Sequence, residues 1–125
     1  MVTVTNTGLV ALSKLANGVD SLDPFTYMGL GSSSTLEAAT QTTLISEIVA
    51  NGGERASATC TYVADYTAKW VVTFTFTGNV TINECAIFNA ASVGVMLIRH
   101  VFANTKSLVN GDKLELTITM ETSEV

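Results

Sequence analysis

The chain is poor in charge, histidine, cysteine and long apolar runs, and each shortage removes a class of explanation. Charged residues are only 14% of 125, against about 25% in an average globular protein. The six basic residues, Lys14, Arg55, Lys69, Arg99, Lys106 and Lys113, lie scattered. None of them cluster to neutralise a run of phosphates, so no nucleic-acid partner is expected. No apolar stretch approaches the roughly 18 residues of a membrane-spanning helix, so no membrane is expected either. Met1 to Leu12 lacks the basic and apolar regions of a secretory signal, and synthesis in a cytoplasm is expected. Two cysteines, Cys60 and Cys85, are too few for a disulfide framework. Both fall in strand-like segments and read as buried thiols, with a bridge between neighbouring strands as the alternative. One histidine leaves little material for acid-base chemistry.

Threonine and serine supply the polarity that charge does not. The net charge is −5 and the isoelectric point about 4.6. A surface of hydroxyls is easier to desolvate than one of ions, which favours close assembly. The length suits one domain over residues 1–125 that buries roughly two thirds of its unfolded surface.

From Ala56 to Met120 the sequence alternates apolar and polar residues. Trp70, Val72, Phe74 and Phe76 oppose Lys69, Thr73, Thr75 and Thr77, which is the pattern of strands with one buried face. Strands are predicted over Phe25–Leu30, Arg55–Tyr62, Ala68–Thr77, Val80–Phe88, Val95–Phe102 and Lys113–Met120, with a short β segment at Val2–Val4. Gly78-Asn79 is a two-residue link that suits a hairpin. Asn51-Gly52-Gly53, Asn89–Gly94 and Asn110-Gly111-Asp112 are turns. Leu9, Leu12, Leu15 and Ala16 recur at helical spacing, capped by Thr5, Asn6 or Thr7 and ended at Asn17-Gly18. A second short helix is predicted near Thr42–Ile48. Residues 1–7 or the segment Ser32–Ala50 can serve as an arm to a neighbour, and residues 121–125 form a tail. The fold class is all-β: an antiparallel β-sandwich or partly open barrel of about six to eight strands with a short N-terminal helix.

No catalytic, cofactor-binding or metal-ligating set stands out, and no enzyme is expected. His100 sits in a strand among apolar neighbours and reads as a core or interface residue, because no nucleophile and orienting acid accompany it. Arg99 faces the other way and pairs with Glu84 or Glu115. Glu84 shares a parity with Val80, Ile82 and Ala86, so it is partly buried and needs a partner. Asp20 and Asp23 lack the spacing of a calcium loop and read as solvated acids. Gly29-Leu30-Gly31 with Ser32–Ser34 lacks the Lys-Ser/Thr ending of a phosphate loop. Asn79-Val80-Thr81 matches the glycosylation triplet but has no secretory context. Trp70 and Tyr66 are the only pair that could stack on a sugar, and Trp70 fits the core better.

Several segments together resemble a known group. They include Asn6-Thr7-Gly8-Leu9, Tyr27-Met28-Gly29-Leu30-Gly31, Thr40-Gln41-Thr42-Thr43-Leu44 and Gly53-Glu54-Arg55-Ala56. The clearest are Ile82-Asn83-Glu84-Cys85-Ala86-Ile87-Phe88-Asn89-Ala90 and Met96-Leu97-Ile98-Arg99-His100-Val101-Phe102. The ordered set resembles small structural proteins of tailed bacteriophages, and in part the N-terminal attachment domains of their tail fibres. Cys85 stands where a small residue or Thr is expected, and Val93 where Gly is expected. The resemblance implies a virion component, made in a bacterial cytoplasm, without deciding which one. The low charge and the small stand-alone domain lead to the expectation of a capsid decoration (cement) protein that binds the major capsid protein, and exposed sheet edges to that of a homo-oligomer, dimer or trimer. No shaft or receptor-binding tip follows residue 125, which favours decoration over a complete fibre. A tail-fibre or baseplate adaptor is the alternative, and a carbohydrate-binding module a weaker one.

Overall fold

The computed structural model describes residues 2–123. Its elements are β1 (Thr3–Val4), α1 (Asn6–Asn17), a 3-10 turn (Val19–Ser21), β2 (Tyr27–Gly31), β3 (Ala56–Ser57), β4 (Thr59–Val63), β5 (Thr67–Thr75), β6 (Val80–Phe88), β7 (Met96–Leu108) and β8 (Lys113–Glu121). They form two antiparallel sheets, one in the order β1-β7-β6-β2-β3 and one in the order β4-β5-β8. The expected β-sandwich with an N-terminal helix is what the chain forms.

Alternation explains the inner layer. Trp70 opposes Ile118, Val72 opposes Leu116, and Phe74 opposes Leu114 across β5 and β8, so these pairs share one face. That face packs on Met28, Leu30, Ile82, Cys85, Ile87 and Ile98 of the larger sheet. Each such side chain, fully buried, stabilises the fold by roughly 1.5–3 kcal/mol. The Trp70 indole also needs a polar partner. Its Nε1–H donates to Phe25 O at 2.7 Å.

The helix is fixed at both ends. Thr5 is the cap: its Oγ1 accepts from Gly8 N at 2.9 Å and donates to Met96 O at 2.5 Å. Gly18 closes it in the left-handed conformation, with φ 73°. The helix lies against β7 so closely that a Cβ at Gly8 would stand 2.8 Å from Leu97 Cα. Of the arm expected at residues 1–7, the described part is docked instead. Thr3 and Val4 pair with Arg99 and Ile98, and Thr5 is fully buried. Met1 lies outside the described residues, as do the last two of the predicted tail.

Three local expectations need correction. Gly78-Asn79 makes no hairpin, because β5 and β6 belong to different sheets. Past Thr75 the backbone turns to other partners: Phe76 N–H donates to Asp112 O and Thr77 N–H to Asn51 O. The chain then crosses to pair Val80 with Leu108. The single strand expected over Arg55–Tyr62 is two, β3 in one sheet and β4 in the other. At the corner Ala58 N–H donates to Thr26 O at 2.8 Å. The helix expected at Thr42–Ile48 is irregular, bent chain, with Glu47 bridging to Gly31. The N–H groups of Ile45 and Ser46, which a helix would use internally, go to a carboxylate on β6.

Candidate functional site

The polar chemistry of this protein gathers on the outer face of the five-stranded sheet, under the segment 32–50. A break in alternation puts it there. Val80 and Ile82 face the inter-sheet core, but the β6–β7 register shifts between Ile82 and Glu84. Such bulges re-aim the residues that follow. Cys85 and Ile87 then take the core, and Glu84, Ala86 and Phe88 take the outer face. Glu84 therefore does not share a face with Val80 and Ile82, as strict alternation predicts. A second shift, between Ile87 and Phe88, moves Met96 to the same outer cluster.

Glu84 and Arg99 are both fully buried and joined at 2.9 Å, Nε to Oε1. Of the two acids proposed for Arg99, Glu84 is the partner. Burying two charges demands that their remaining atoms be satisfied. Glu84 Oε1 also accepts from Ile45 N at 3.0 Å, and Oε2 accepts from Ser46 N at 2.9 Å and Ser33 N at 3.1 Å. Arg99 Nη1 donates to Thr35 O and Gln41 Oε1, each at 3.0 Å, while Nη2 has no partner among the described residues. The loop after Gly29-Leu30-Gly31 does cradle an anion, and the anion is the protein's own carboxylate. Gly31 makes the room: a Cβ there would stand 2.5 Å from Glu84 Cγ.

Two further polar contacts fasten the same strap. Arg55 meets Glu47 in a fork, Nε to Oε2 at 3.0 Å and Nη2 to Oε1 at 2.8 Å. Its guanidinium lies 3.5 Å above the Phe88 ring, and Nη1 donates to Ala90 O and Val93 O. At the other end Glu37 accepts from Thr3 Oγ1 and, at 3.0 Å, from Val101 N. His100 Nδ1 approaches Glu37 Oε1 to 3.2 Å, outside regular hydrogen-bond geometry. Burial pushes the Glu37 carboxyl up. The hydrogen bonds from Thr3 and Val101 and the charge of His100 more than offset that and hold it below the ordinary value. Glu37, Glu47 and Arg55 were not legible as a set, because they meet only through the course of an irregular segment.

The strap presents apolar side chains outward. Leu36 is 84% exposed, Val49 77% and Ile45 50%, and Val93 on the adjoining turn is 84% exposed. Between strap and turn lies a cleft of about 290 Å³ lined by Thr42, Thr43, Glu47, Arg55, Phe88 and Val93.

The other candidates fall elsewhere. His100 pairs across the sheet with Cys85, and both line a groove of about 290 Å³ between β7 and β8. Cysteine and histidine thus face one groove, which the sequence did not suggest. Burial pushes the Cys85 thiol up to about 12, with the charges of Glu37 and Glu84 adding to it. A thiol so held stays protonated at neutral pH, and the thiolate is the nucleophile. Both cysteines are free, which leaves no bridge, and Cys60 is exposed rather than buried because its strand is an edge. Asp20 pairs with Lys14 at 2.7 Å. Trp70 is buried and Tyr66 exposed at a turn, so they form no stacking pair. Among the described residues no three His, Cys, Asp or Glu are grouped to hold a metal, and no helix is long and apolar enough to cross a membrane.

A comparison with known proteins finds no family model and no curated protein that matches this chain.

Proposed function

We propose that the protein is a non-enzymatic structural component of a tailed-bacteriophage particle, made in the bacterial cytoplasm and assembled into the virion. Capsid decoration is the role the observations support best: many copies bind the outer shell through the major capsid protein and stabilise it. Binding only the assembled shell would do so by mass action. The observation that carries this reading is the strap. Its two charged residues are spent internally, Glu47 on Arg55 and Glu37 beside His100, and the buried Glu84–Arg99 pair holds it from below, while Leu36, Ile45 and Val49, with Val93 on the adjoining turn, face outward. Exposed apolar side chains on a rigidly pinned segment form a surface for a partner rather than a site for chemistry. The sequence resemblance supports the particle, and the low charge supports close assembly.

Quantitative mass spectrometry of purified virions, relative to the major capsid protein, tests the proposal. Hundreds of copies are expected. A few to a few dozen would transfer the protein to the alternative role of tail-fibre or baseplate adaptor. Absence from particles would refute both.

A further inference from the structure

The three-stranded sheet ends on β8, and among the described residues nothing pairs with its outer edge. That edge runs for nine residues without proline, and its register against β5 is unbroken. Natural proteins blunt or cover edges of this kind. Its inward side chains Leu114, Leu116 and Met120 stay only half-buried, and the groove between β7 and β8 opens beside Leu116.

We propose that β8 pairs antiparallel with β8 of a second copy about a two-fold axis at Thr117, continuing the sheet across both chains. The strand is self-complementary in that register. Lys113 lies opposite Glu121 of the second copy, and Glu121 opposite its Lys113. On the inner face Leu114 meets Met120, and Leu116 meets Ile118. Moving the axis one residue forward sets Glu115 against Glu121. Moving it one residue back leaves Lys113 opposite Thr119 and loses both ion pairs. Charge therefore selects one register, and the two-fold repeats every contact. The other long free edge has no such selector, since Thr59–Val63 carries no charged residue. On β7, the Val101 N–H beyond β1 is already taken by Glu37. This inference does not rest on the virion reading.

Analytical ultracentrifugation of the full chain tests it, with Lys113→Glu, Glu121→Lys and the double exchange. Both positions are exposed and face Thr75 and Thr67 in β5, so the exchanges leave the fold in place. The unaltered protein is expected to be a dimer. Each single exchange sets like charges opposite one another twice and raises the dissociation constant about tenfold or more. The double exchange restores dimerisation, which a damaged fold would not do. A monomer or a trimer overturns the proposal. So does a dimer indifferent to the single exchanges, or one the double exchange fails to restore.

Discussion

Replacing Glu84 with glutamine preserves shape and removes one negative charge. Each carboxylate oxygen accepts two N–H bonds, Oε1 from Arg99 and Ile45, Oε2 from Ser46 and Ser33. Either orientation of the new amide therefore aims an NH2 at two donors. The Arg99 guanidinium, fully buried, loses its counter-charge. Breaking a buried pair from one side costs about 3–5 kcal/mol, the larger part of which is the stranded charge. For a domain of this size each kcal/mol moves the melting midpoint by roughly 3–4 °C, so Glu84→Gln is expected to lower it by about 10–20 °C. Urea unfolding followed by the fluorescence of the single tryptophan, Trp70, reads the global effect. Amide exchange reads the local one: the N–H groups of Ser33, Ile45 and Ser46 should lose protection before the sheets do. Exchanging both partners, Glu84→Met with Arg99→Met, should recover the part due to the stranded charge but not the three loop amides. A loss below about 1 kcal/mol with those amides still protected would refute the view that Glu84 pins the strap.

Other consequences are as direct. Val93 holds φ 57° while 84% exposed; a β-branched residue there is strained, so Val93→Gly should raise stability by about 1 kcal/mol in urea unfolding, and a decrease would contradict the strain. The Glu37 carboxyl is held below its ordinary value of 4.5, so its contribution is full above that value and fades as pH falls through the depressed one. The stability gap between the natural protein and Glu37→Gln should therefore close on acidification from pH 7, and a constant gap would contradict the pairing. In the native protein a thiol reagent should modify Cys60 and spare Cys85, whose thiol is buried and pushed up to about 12. Equal reactivity of the two would contradict the burial of Cys85.

Much of the fold was legible because strand alternation is a local property. The β5 and β8 segments and the inward set Trp70, Val72, Phe74 and Ile118 follow from period two alone. The capped helix follows from Thr5 and Gly18, whose roles depend only on adjacent backbone. The Arg99 partner could be narrowed to two acids, since both strands were recognised. Glu84 was misplaced because alternation presumes an unbroken ladder, and the shift after Ile82 exists only where β6 meets β7.

The sequence by itself determined an all-β chain with a short helix, a low-charge hydroxyl surface and an apolar side to each long strand. It could do so because side-chain direction and capping are set by neighbours in the chain. Tertiary structure alone decided which strands share a sheet, so that Gly78-Asn79 became a crossing rather than a hairpin. It also decided that Thr42–Ile48 is part of an irregular strap rather than a helix, because the amides of Ile45 and Ser46 had a better partner in a buried carboxylate on a distant strand. A turn reads its own residues, but a hydrogen bond between Ser46 and Glu84 depends on two parts of the chain brought together by the packing of everything between them.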